Sequence, residues 1–217
     1  MIDVATLASR AVGGSVAVGI AIGAGYAPIV FLVPQLIAQP QETGYGLGAT
    51  ATQTGYFLSA AYAVGVIASI AAGRLARRLE ARVIGAVAMA LLGAASVVTL
   101  LGSTPAMIVL TLVLAGIGAA ASTIVYASAA IGASEYEVGV STALITIARA
   151  VGGALATQIV ASLITGASGS AGAGAGAAPT LGDFQASFIV AALLSLGGAA
   201  LALWLLPRER AEVATTH

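Results

Sequence analysis

The chain has 217 residues, 59% of them hydrophobic and 7% charged, with a mean hydropathy of +1.06. Soluble domains carry about 25% charged residues, so this chain lacks the polar side chains to cover a water-facing surface and reads as an all-α membrane protein. Its formal charge sums to zero and it has no cysteine, which excludes the basic surface that nucleic acid requires, disulfides and thiolate metal sites.

Residues 1–11 read as a cytoplasmic N-terminal segment. They carry Asp3 and Arg10, and the apolar run behind them exceeds the roughly 7–15 residues of a signal-peptide core. Six apolar segments then approach or exceed the roughly 20 helical residues that cross a hydrocarbon core. They lie near 12–38, 55–72, 83–101, 105–130, 139–165 and 185–206, forming one transmembrane domain over 12–206 before a cytoplasmic tail, 207–217. The one histidine, His217, ends that tail.

The first segment contains Gly25, Tyr26, Pro28 and Pro34. Proline removes a backbone donor and kinks a helix, so neighbours or water must satisfy the freed carbonyl. The prolines serve packing or gating. Tyr26 and Gln35 are expected on or near a cavity side. The polar run 39–55 separates this span from the second, and "GRLARRLEAR" (73–82) separates the second from the third. "GSTP" (102–105) is a tight turn with Pro105 suited to a first helical position, "GASEYEVG" (132–139) carries two glutamates, and 166–183 reads as a flexible low-complexity loop.

Arginine placement orients the spans. One side holds Arg10, Arg74, Arg77, Arg78, Arg82, Arg208 and Arg210, whereas the opposite loops hold none. By the positive-inside rule both termini face the cytoplasm, across the cell (inner) membrane. Small residues recur at the spacing that lets membrane helices approach: Gly19 and Gly23, then Gly65, Ser69 and Gly73, then Ala86, Ala90 and Ala94, then Gly116 and Ala120.

The motifs exclude enzymatic chemistry. "GAGAGAA" (172–178) lacks the βαβ unit that a dinucleotide loop needs. "GASG" (166–169) carries a serine, but no span supplies the histidine or lysine that would activate it. Nor do the spans hold paired metal ligands, so no metal and no cofactor is expected. They contain no acidic residue either, which leaves hydroxyls, amides and aromatics such as Tyr26, Gln35, Tyr62, Thr123, Tyr126, Thr142, Thr146 and Gln158. An apolar wall with scattered polar groups suits small amphipathic molecules.

Four stretches, in order, carry a family resemblance: "MIDVATLASRAV", "FLVPQLIAQPQETGYGLGATATQTGYFL", "GRLARRLEAR" and "EYEVGVSTALITIARAVGGALAT". The chain resembles the last six spans of a major facilitator superfamily transporter, closest to the fourteen-span drug:proton antiporters. In the third stretch Gly73, Arg78 and Arg82 match the cytoplasmic motif G-x-x-x-D-R-x-G-x-R, with Arg77 in place of its aspartate and Glu80 in place of its second glycine. The resemblance implies one half of a major facilitator fold, two inverted three-helix repeats. It further implies proton-coupled multidrug efflux that requires a second six-helix half, as a separate chain or in a homodimer. The start "MIDV" falls where the family runs straight on from upstream sequence, so the other reading is a truncated, non-transporting fragment or a membrane interaction protein.

Arg149 stands about ten residues into the fifth span, ~15 Å from its cytoplasmic end. A guanidinium in hydrocarbon costs at least ~2.5–3.5 kcal/mol, and the nearest acids in sequence, Glu135 and Glu137, lie ~18–21 Å back along the helix. Two readings stand: Arg149 snorkels to cytoplasmic water, or it faces a cavity where a carboxylate of the second half pairs with it. In the second reading Gly152 and Gly153 admit another helix. Arg149, Tyr26, Gln35, Tyr126 and Gln158 are the candidate substrate path, and Pro28, Pro34, Gly152 and Gly153 the packing and gating positions.

Overall fold

The computed structural model describes residues 10–75, 79–120, 126, 135–170 and 179–206. They form six helices, α1 (Arg10–Ala38), α2 (Ala51–Leu75), α3 (Ala81–Leu101), α4 (Pro105–Ala119), α5 (Glu135–Ser170) and α6 (Leu181–Leu205), with a short 3-10 turn at Gln41–Thr43. All but α4 are long and apolar enough to cross a membrane by length and composition. The apolar α4 is shorter among the described residues, and Tyr126 beyond it is again helical.

Helix boundaries follow local chemistry. Thr104 caps α4 by accepting from the Met107 amide at 3.3 Å, with Pro105 at the helix start. Helix α6 begins at Leu181, before the span expected at 185–206, because Thr180 and Asp183 form a capping box. The Asp183 carboxylate accepts from the Thr180 amide at 2.7 Å and from the Thr180 hydroxyl at 2.9 Å, satisfying donors that a helix start leaves open. This corrects two expectations. An acid does lie within an apolar spanning helix, though buried and committed to its cap, and residues 166–170, read as loop, belong to α5.

The helices interleave. The most extensive contacts are α1 with α5 and α3 with α6, followed by α1 with α6, α3 with α4 and α2 with α4. Exchanging α1 with α4, α2 with α5 and α3 with α6 maps this pattern onto itself. The α1–α5 contact becomes α4–α2, α1–α6 becomes α4–α3, and α3–α6 is unchanged. Both ends of the bundle chain lie together, since a Cβ on Gly14 would stand 2.8 Å from the Leu205 carbonyl oxygen.

The core is built on α1 and α3, whose Ile22, Ile29, Leu32, Leu36, Met89 and Leu92 are fully buried, with Phe184 and Phe188 of α6. Buried hydroxyls are satisfied close to home. Ser96 and Ser195 donate to carbonyls four residues back, and Thr99 of α3 meets Thr111 of α4 at 2.9 Å. A polar group left unpaired in such an interior costs several kcal/mol.

Candidate functional site

Helices α1 and α5 run parallel and cross at backbone contact. Gly19 lies against Ile145, Gly23 against Arg149 and Ala27 against Gly153, over three successive turns. A Cβ on Gly23 would fall 2.0 Å from the Arg149 carbonyl oxygen, and one on Gly152 2.2 Å from that of Ile20. No side chain fits at either position. The spacing of Gly19 and Gly23 is thus used by α5, and the helix that Gly152 and Gly153 admit is α1 of this chain. The counterpart crossing of α2 and α4 is similarly bare, with a Cβ on Gly116 2.5 Å from the Ala61 carbonyl oxygen.

That crossing fixes Arg149. Its backbone abuts Gly23, and its half-buried guanidinium stands over the ring of Tyr26, with Cζ 5.9 Å from the ring centroid. Tyr26 lies only three residues beyond Gly23, so the guanidinium stays within about a turn of its own depth. Tyr62 of α2 is a close neighbour of Tyr26 and is 52% exposed. One turn from Arg149, on the same face of α5, the Thr146 hydroxyl meets that of Tyr126 at 3.1 Å and donates to the Thr142 carbonyl at 2.8 Å. The polar cluster therefore draws on α1, α2, α5 and the stretch preceding α5.

Magnitudes decide what Arg149 still lacks. A cation over an aromatic face gains about 0.5–2 kcal/mol, against at least ~2.5–3.5 kcal/mol for a guanidinium at membrane depth. No ion pair of Arg149 occurs among the described residues, where the one salt bridge joins Arg82 to Glu80 at 2.5 Å. Tyr26 offsets part of the cost. Water or a further partner must supply the remainder.

The other expected path residues lie apart from this cluster. Gln158 is nine residues from Arg149, about two and a half turns, which puts it on the opposite face of α5, exposed. Gln35 is exposed near the end of α1, and its carbonyl accepts from the Gln39 side chain at 3.3 Å. Pro28 is buried and Pro34 half-buried within a continuous α1. Gly73 of the loop motif is exposed, with nothing within 4 Å of a Cβ built on it, and Arg82 pairs with Glu80. Arg77, Arg78 and Thr123 lie outside the described residues. Composition and depth single out Tyr26 and Arg149 separately. Their pairing, and that of Tyr26 with Tyr62, depends on the crossing register between helices and has no local signal.

Apolar helices crossing through bare glycines around a mid-helix polar cluster define a multi-pass helical membrane protein. A model of the Major Facilitator Superfamily matches residues 17–216. The chain belongs to that superfamily, a family of membrane transporters rather than enzymes. None of the curated proteins compared matches it.

Proposed function

We propose that these helices form one six-span half of a proton-coupled exporter of amphipathic organic compounds, active only with a second six-helix half. The observation that carries this reading is Arg149. It lies about 16 Å into the apolar span that starts at Val138, half-buried, with an aromatic face on one side and no carboxylate partner among the described residues. Thr146 and Tyr62 in the same cluster are exposed, which suits a wall facing an aqueous cavity rather than lipid. The self-mapping helix contacts support two inverted three-helix repeats, with the apolar α4 counted as a span beside the five longer helices. The second half, a separate chain or another copy, supplies the opposite wall and the acids that carry protons. Arginine asymmetry supports a cell (inner) membrane location with both termini cytoplasmic.

Reconstitution tests the proposal. In proteoliposomes this chain as a monomer shows no proton-coupled efflux of an amphipathic dye. Addition of the partner half, or concentration into a stable homodimer, restores it. Coupled efflux by a demonstrated monomer overturns the proposal.

A further inference from the structure

A cavity lies away from the Arg149 cluster, and the proposed transport function does not use it. An open cleft of about 760 Å³ lies between the ends of α2, α3 and α4, within the roughly 300–1,000 Å³ of small-ligand sites. Its walls are apolar, with Ala68 and Ala72 from α2, Ala88 and Leu91 from α3, and Ile117 and Ala120 from α4. Alanine stands where bulkier residues would close the gap. Val87 and Leu75, which also line it, are 54% and 43% exposed, so the cavity opens sideways out of the bundle. From Arg74 to Ala68 the wall runs six residues, about 9 Å along α2.

Among the described residues one charge lines this space. Arg74, in the last turn of α2, is exposed and has no carboxylate partner among the described residues, whereas nearby Arg82 is neutralised by Glu80. An apolar slot that opens sideways out of the bundle, with an exposed guanidinium at the helix end, matches a molecule with an acyl chain and an anionic head. We propose that this cavity binds an anionic phospholipid, one acyl chain between α2, α3 and α4 and the phosphate on Arg74. The orientation proposed above places the lipid in the inner leaflet, but binding itself does not depend on that orientation.

Native mass spectrometry of the purified full chain in detergent tests this, with palmitoyl-oleoyl phosphatidylglycerol, the matching phosphatidylcholine and oleate as probes. The chain is expected to retain one phosphatidylglycerol about fivefold better than phosphatidylcholine, the factor that one interfacial arginine contributes. Arg74→Gln, at an exposed position, removes that preference and leaves phosphatidylcholine binding unchanged. Ala71→Phe fills the cavity from an exposed wall position and lowers retention of both lipids, while circular dichroism reports intact helix content. Equal retention of the two lipids by the unaltered chain, or an undiminished preference in Arg74→Gln, overturns the proposal. Displacement of phosphatidylglycerol by equimolar oleate also overturns it and assigns the cavity to a free fatty acid. Proteoliposome efflux plays no part in these readouts, so failure here leaves the transport proposal standing, and the reverse holds too.

Discussion

At the scale of single residues, Arg149 and Tyr26 form a unit whose members are separable by substitution. Tyr26→Phe keeps the ring and its quadrupole, so thermal stability is expected to stay near that of the unaltered chain. Tyr26→Leu removes the aromatic face under the guanidinium and should cost about 0.5–2 kcal/mol, read as a lower melting temperature in detergent. Arg149→Ala is expected to abolish efflux in the reconstituted two-half assembly while membrane insertion stays intact. Arg149→Lys restores it in part, because a lysine cannot reproduce bidentate pairing with a carboxylate. Normal efflux by Arg149→Ala would reduce the arginine to a resident of the helix. Both residues were visible from charge and aromaticity at membrane depth. Their contact was not, because it joins positions over 120 residues apart through the register of two crossing helices.

At the scale of helices, glycine spacing had uneven meaning, and contact decides it. Gly19 and Gly23 share one face of α1 and touch α5, and Gly65 touches Gly116, yet Gly73 at the same spacing meets nothing within 4 Å. Spacing places small residues on a face. Only the fold supplies, or withholds, a partner for that face. Gly23→Ala and Gly152→Ala should therefore each destabilise the bundle by about 1–3 kcal/mol, the range for overpacking, since the obstructing atoms are backbone oxygens that cannot rotate away. Gly197→Ala is the control. It has open space around it, so gain of helix propensity, up to about 1 kcal/mol, is the expected direction in a thermal melt. The start of α6 shows the opposite kind of misreading. Thr180 and Asp183 stand at capping-box spacing, but the glycine-rich run before them and Gly182 between them resemble loop composition.

For the whole molecule, topology and interleaving make two expectations. The chain has no cysteine, so single-cysteine variants report on orientation without background. Glu42→Cys and Leu79→Cys, both at exposed positions in connections on opposite sides of α2, should react with membrane-impermeant maleimide from opposite faces, with residue 79 cytoplasmic. Labelling of both from one face would contradict α2 as a span. Fragment expression addresses the interleaving. Residues 1–104 and 105–217, divided at the turn before α4, each lack the main partners of their own first helix. Neither fragment alone is expected to survive extraction into detergent, whereas co-expression should yield a complex of the two that purifies together.

The parallel pairing of α1 with α5 also fixes the order of events during synthesis. Close to a hundred residues separate Ala38, the last of α1, from Glu135, the first of α5. At about 5–20 residues per second, α1 emerges some 5–20 s before its main partner exists. Its apolar span, with a mean hydropathy of 2.2, is greasy enough to remain in the bilayer through that interval. Its bare glycine face and Tyr26 must wait in lipid or against transient neighbours until Arg149 arrives. Factors that shield young membrane helices would act on this molecule in that window, before α5 closes the face of α1.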